Sequence, residues 1–204
     1  MKRENCIKKR VCVTDFDGTL ISKDSIAFIL KKELWFLYPK IAKEICILLW
    51  AKNFNQNNIL SIRSRLKKLL LKKLDNLPSK KMELYIKSLR ESINYNVVNQ
   101  IKNINYDLII IESASDKQII ESTMAGILNY KMIISNDRRD ISNDFQTCWG
   151  ENKVKLVTTY LQNPNLYDID VYTDSFDDLP LMQLGNHTFI VQKNKVTEYD
   201  INTD

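Results

Sequence analysis

Val11-Cys12-Val13-Thr14-Asp15-Phe16-Asp17-Gly18-Thr19-Leu20 is the stretch on which the fold turns. An apolar-leaning run of strand character ends in two carboxylates two residues apart, followed by Gly-Thr. Successive strand side chains point to opposite faces. Past the strand's end, a tight turn built on Gly18 can aim Asp15 and Asp17 into one small volume. Two carboxylates at such a place suit a hard divalent cation and a phosphate. One can attack phosphorus and the other can carry a proton.

Working outward, apolar strand patterns recur with helical patterns between them. Strands are predicted at Arg10–Thr14, Asp107–Glu112, Lys131–Ser135, Asp168–Tyr172 and Thr188–Val191. Helices are predicted over Asp116–Leu128, with Ser115 as N-cap and Gln118 at the capping-box position, and over Glu151–Leu161. Residues 136–149 read as a polar loop with a small hairpin. Alternation of this kind predicts an α/β fold with a parallel sheet covered by helices on both faces. Ligands in such sheets bind beyond the carboxyl ends of the strands. Asp15, Ser113 and Asp174 fall at those ends, and Lys153 opens a helix that can reach them.

Between the first two strands the pattern is helical. Asp24 or Ser25 caps a helix through Tyr38, and Pro39 opens another through about Lys52. Asn53 to Asn58 is a polar turn. Ile59, Ile62, Leu66, Leu69, Leu70 and Leu74 repeat at threes and fours. Pro78-Ser79 opens a helix through about Ile93, and a short one spans Asn96–Asn103. The expected organisation is a core of residues 1–22 and 105–204 with a helical insert, 23–104. Residues 31–90 hold 15 Lys and Arg against Glu33, Glu44, Asp75 and Glu83, so this segment is +11 while the whole chain is +5.

Composition narrows the class. With 44% hydrophobic and 27% charged residues the chain reads as an ordinary globular protein, and with only 4 Gly and 4 Pro it offers no flexible linker. No internal repeat is evident. Met1–Cys6 is charged with no apolar run behind it, which is not a signal-peptide pattern. Apolar stretches such as Ile45–Ala51 fall far short of the roughly 20 residues that span a bilayer. Cys6, Cys12, Cys46 and Cys148 form no CxxC pattern and read as free thiols of a reducing cytosol, two or three of them buried. His187 is the sole histidine, at a turn before a strand, so a histidine triad or zinc site is excluded on inventory.

Four motifs in order carry a family resemblance over residues 10–192. Asp15-Phe16-Asp17-Gly18-Thr19 resembles motif I of the haloacid dehalogenase (HAD) superfamily. Leu108-Ile109-Ile110-Ile111-Glu112-Ser113-Ala114-Ser115 resembles motif II, and Gly150-Glu151-Asn152-Lys153-Val154 resembles motif III. Thr173-Asp174-Ser175-Phe176-Asp177-Asp178-Leu179-Pro180 resembles motif IV in its DSxxDLP form. The closest likeness is to the phosphoserine-phosphatase-like subfamily IB. The resemblance implies a Rossmannoid core with an α-helical, C1-type cap. It also implies Mg²⁺-dependent phosphatase activity through an aspartyl-phosphate. Asp15 would be the nucleophile and Asp17 the general acid and base. Phe16, Gly18, Ser113, Ala114 and Lys153 would bind phosphate, and Asp15, Asp17 (through its carbonyl) and Asp174 would bind Mg²⁺.

Other readings stay open for several residues. Thr19 and Ser175 support these groups. Asp178 is a second ligand through water or a partner for Lys153, and Asp177 is a helix-start acid. Asp24 touches substrate or caps a helix. Glu112 replaces the apolar residue usual at its place in the family, and faces either a neighbouring loop or the substrate.

The substrate class is a small phosphometabolite or a lipid phosphate. The lipid reading draws on the basic cap and on a looser resemblance to phosphatidylglycerophosphatase-type members. Trp35, Phe36, Leu37, Tyr38, Ile45, Ile47, Leu48, Leu49 and Trp50 among lysines suit peripheral association with an anionic membrane. The plainer reading of the cap is a solvated lysine face over an apolar stripe. No nucleic-acid motif is present, so specific nucleic-acid binding is not expected. The expected location is cytoplasmic. The alternatives to hydrolysis are phosphotransfer to a non-water acceptor and a non-catalytic binding protein of the same fold.

Overall fold

A computed structural model describes residues 8–54, 58–142 and 144–201. The readings of Met1–Cys6 and of the middle of the 53–58 turn lie outside the described residues. Strands β1 (Lys9–Thr14), β2 (Leu108–Asp116), β3 (Met132–Asn136), β4 (Tyr167–Thr173), β5 (His187–Gln192) and β6 (Lys195–Tyr199) form one sheet in the order β3-β2-β1-β4-β5-β6. All pairings are parallel except β5 with β6. The chain builds outward from β1 to β3, then returns to β1's other side with β4. That reversal opens a crevice at the carboxyl end of β1.

Alternation along β1 separates the two layers. Val11 and Val13 point into a cluster with Ile110, Val171 and Val157 of α7 (Glu151–Leu161). Cys12 points the other way, with Ile111 and Tyr172, toward α5 (Tyr95–Asn103) and α6 (Lys117–Met124). Helices α1 (Ser25–Lys32), α2 (Pro39–Phe54), α3 (Ile59–Asp75) and α4 (Ser79–Arg90) precede α5 between β1 and β2, and a short α8 (Leu179–Met182) follows β4. The stripe predicted on α3 buries Ile62, Leu70 and Leu74. Pro39 opens α2, as its fixed φ and missing N–H favour.

Several expectations are corrected. The helix from Ser25 stops at Lys32, because Leu34 takes a left-handed turn at φ 53 into a 3-10 turn over Trp35–Leu37. The helix after β2 starts one residue later and ends four earlier than predicted. Ser115 does not cap it: β2 bulges between Ser113 and Asp116, and Asp116 accepts the Ile119 N–H instead. Gln118 completes no capping box; it accepts from Arg138 at 2.6 Å. The helix opened at Ser79 ends at Arg90 rather than near Ile93. Residues 137–149 contain no strand among those described, so the small hairpin is absent.

Strand β6 was not foreseen. Its hairpin turns on Lys193 and Asn194 at φ 46 and 71, without the glycine that marks such turns. The aromatic run proposed for a membrane surface is divided. Trp35 is buried in the core, while Phe36, Leu37, Tyr38, Leu49 and Trp50 are exposed. Cys12 and Cys148 are buried free thiols, and Cys46 is an exposed one. No described helix is long and apolar enough to cross a membrane.

Candidate active site

Asp15 is fixed at the end of β1 by its backbone, whose N–H donates to Tyr172 O at 2.9 Å. Past it the chain loops tightly. Ile21 N–H returns to Phe16 O at 3.0 Å, Phe16 is buried, and Gly18 sits at φ +79. Glycine is required there twice over: the backbone lies in the left-handed region, and an added Cβ would fall 2.1 Å from Asp174 Oδ2. Asp174, just beyond β4, therefore stands against the same turn that carries Asp15 and Asp17.

Asp17 is held by the start of α1. Ser25 donates its N–H to Oδ1 at 2.8 Å and its hydroxyl to Oδ2 at 3.2 Å. Ser25 Oγ also meets Ser115 Oγ at 2.6 Å, which ties this arm to β2. Burial and then the Asp24 charge push the Asp17 carboxyl up to about 8, with the Ser25 bonds pulling the other way. A carboxyl so placed holds a proton near neutrality, as a general acid must.

Lys153 lies in the first turn of α7 and reaches inward. Its Nζ is 3.1 Å from Asp15 Oδ1, 2.9 Å from Asp178 and 3.0 Å from Glu112 Oε2, the last an ion-pair contact without hydrogen-bond geometry. Burial opposes its charge, but the three carboxylates outweigh burial and hold the ammonium well above its usual range. Of the two readings of Asp178, partnership with Lys153 is the one seen; Thr173 Oγ1 also donates to it at 2.8 Å. Glu112 is fully buried behind Lys153 and accepts from the Cys148 thiol at 2.9 Å. Of the two readings of Glu112, it is the neighbouring loop, through Cys148, that the side chain meets. Burial pushes Glu112 up to about 8 against the pull of Lys153, and pushes Asp15 up to about 7 in the same way.

The remaining residues singled out in the sequence divide. Ser113 and Ala114 line the pocket, and Ser113 Oγ accepts the Ser115 N–H at 3.1 Å. Asp24 lines the pocket rim and also caps α1, accepting Ala27 N–H at 2.7 Å. Thr19 is buried, with no hydrogen bond from its hydroxyl. Ser175 accepts Asp177 N–H at 3.1 Å and lines the pocket. Lys155 is exposed, away from the site.

Sequence reading missed Arg63, Lys67 and Trp149. Arg63 lies 3.9 Å over the Trp149 ring and 3.5 Å from Asp177, so α3 reaches two loops of the sheet domain. Burial lowers the Lys67 amine, which faces the charges of Asp24 and Asp17. Spacing Arg63 and Lys67 four apart puts them on one helix face, but among so many basic residues the pair gave no separate signal.

The donor set fits Mg²⁺. Asp15, Asp17 and Asp174 offer only oxygen, Gly18 leaves Asp174 room beside the turn, and burial raises all three carboxyls. Lys153 alone cannot neutralise this many acids. A second group, the carboxylates of Asp168 and Asp170 with the His187 imidazole, lies at the other end of the strands, where Arg10 already bonds Asp170 at 2.9 Å.

The raised carboxyls carry a stability consequence. Asp15, Asp17 and Glu112 keep protons in the folded chain that the unfolded chain releases, so stability of the metal-free protein should fall as pH rises from about 4 to about 8. In EDTA the melting temperature is expected to drop between about pH 6 and about pH 8, and Mg²⁺ should restore more at the higher pH. A flat or rising profile would remove the unneutralised acid cluster.

Compared with known proteins, the chain matches no family model, and no curated protein matches it. Its fold is shared with solved structures. A protein of unknown function from Bordetella pertussis Tohama I has a TM-score of 0.61 and 17% identity, covering 89% of this chain and 89% of that one. A HAD-family hydrolase from Salmonella enterica serovar Typhi has a TM-score of 0.59 and 13% identity, covering 87% of this chain and 61% of that one. A phosphoserine phosphatase from T. onnurineus, in complex with NDSB-201, has a TM-score of 0.55 and 13% identity, covering 92% and 86%. The chain has the HAD-like α/β fold. That fold is shared with phosphoserine phosphatase structures among others.

Proposed function

We propose that the chain is a phosphomonoester hydrolase that works through a phosphorylated Asp15. The observation that carries this is the placement of Asp15 against buried Lys153, with Asp17 held by Ser25 in the same pocket. Asp15 Oδ attacks phosphorus while Asp17 gives its proton to the departing ester oxygen. The alcohol leaves, and Asp15 is an acyl phosphate. Asp17, now ionised, takes a proton from a water that attacks phosphorus, and inorganic phosphate departs with Asp15 regenerated. Lys153 and the Ser113 hydroxyl hold the phosphoryl oxygens as charge spreads over them. Asp15, Asp174 and the Asp17 carbonyl would hold Mg²⁺, which when bound neutralises the acids and the transferring phosphoryl group.

The inserted helices, residues 23–104, act as a cap in this reading. They supply Arg63 and Lys67 above the pocket and exclude water. A binding protein has no use for both a nucleophile and a proton carrier, whereas transfer to a non-water acceptor would use Asp15 and Asp17 alike. The test is phosphate release from a panel of phosphomonoesters in Mg²⁺ and in EDTA. Release in Mg²⁺ that EDTA stops is expected. Release indifferent to EDTA would sink the metal assignment, and none from any ester would sink hydrolysis.

A further inference from the structure

We infer, resting on that hydrolytic reading, that the substrate's alcohol is an aliphatic chain. The pocket above the catalytic carboxylates has a volume of about 560 Å³. Its far wall comes from three helices of the insert and is hydrocarbon: Ile26, Ala27 and Leu30 on α1, Leu48 on α2, Leu66 and Leu70 on α3. Ala27, Leu30, Leu48 and Leu66 are only half-buried, so they keep surface to give to an apolar guest.

Most of the polar groups beside this wall have protein partners, and Lys67, which lines the pocket beside Leu66, faces the charges of Asp24 and Asp17. Asp24 caps α1. Lys23 Nζ donates to Ser88 O at 3.2 Å and to its hydroxyl at 3.3 Å. Ser25 serves Asp17 and Ser115, and Arg63 is stacked on Trp149 and paired with Asp177. A hydroxyl-rich or zwitterionic alcohol would bury its own polar groups against leucines, at a cost for each left unbonded. A methylene chain meets no such cost, and each methylene buried is worth about 0.8 kcal/mol. The same insert carries exposed Leu34, Phe36, Leu37 and Tyr38, with Lys31, Lys32 and Lys40 close in sequence, so a chain presented by an anionic bilayer is one source and a soluble ester the other.

The experiment compares kcat/KM for ethyl, butyl, hexyl and octyl phosphate, all below their micellar concentrations, beside phosphoserine and a sugar phosphate. A rise of about threefold to fourfold per methylene is expected while the chain lies in the pocket. Leu66→Asn should lower kcat/KM about tenfold more for octyl than for ethyl phosphate, and Leu66→Met should keep the slope, which separates the wall's effect from misfolding.

A flat or falling series, or preference for phosphoserine or the sugar phosphate, would overturn the inference while leaving hydrolysis intact. Release from none of the esters would overturn hydrolysis and this inference with it. With the slope established, hexadecyl phosphate carried in anionic vesicles assigns the source: release supports a bilayer lipid, and absence of release supports a soluble ester.

Discussion

Asp15→Asn is expected to lower kcat by about ten-thousandfold or more while leaving the chain folded. The amide keeps the size of the carboxylate and an oxygen that can accept from Lys153 Nζ, now 3.1 Å from Asp15 Oδ1. It removes the nucleophilic charge, and no neighbour can replace it. Asp17 is committed to Ser25, and Asp178 is bound to Lys153 and Thr173. Glu112 is sealed behind Lys153. Stability should hold or improve, because Asp15 is a buried acid pushed up to about 7 and its ionised form costs the free protein energy. The measurements are phosphate release under saturating Mg²⁺ and thermal unfolding of the same preparation. Residual activity above a few per cent of wild type, in a protein that melts normally, would remove Asp15 as nucleophile.

How much of this was legible beforehand depended on whether a signal was local. Asp15, Asp17 and Gly18 lie within four residues, and their turn is dictated by glycine and by the strand's end, so sequence sufficed. Lys153 was legible as a helix-start lysine, but its three carboxylate partners come from β1, β2 and the loop after β4. Glu112 was seen as odd and could not be placed. Whether its side chain meets a neighbouring loop, a substrate or a lysine 41 positions away is a matter of packing, not spacing. Ser115 was misread for a related reason. Its sequence neighbourhood suits a helix cap, but the bulge in β2 passes that task to Asp116 and frees Ser115 to meet Ser25. β6 was lost because Lys193 and Asn194 adopt positive φ without glycine. Arg63 and Lys67 were hidden in a segment whose many lysines read equally well as a solvated face.

Lys153→Met should damage both activity and stability, and the two losses should separate with pH. Methionine keeps the side chain's length and apolar stem but leaves Asp15, Glu112 and Asp178 facing one another with no cation among them. Removing one partner from a buried charge cluster costs about 3–5 kcal/mol. The cost requires ionised acids, so it should be large near about pH 8 and shrink toward about pH 5, where the carboxyls take up protons. Urea unfolding of mutant and wild type at the two pH values measures this directly. An equal deficit at both would mean that Lys153 matters for packing rather than charge. Adding Glu112→Gln to Lys153→Met removes one of the stranded acids and should recover part of the stability at the higher pH. It should recover none of the activity, for which a fall of about a hundredfold to a thousandfold in kcat is expected, because nothing then meets the charge developing on the phosphoryl oxygens. Recovery of turnover in the double mutant would mean that Lys153 serves only to neutralise Glu112. Recovery of stability alone places the ammonium where the geometry has it, between a buried acid that holds it in place and a nucleophile that it serves.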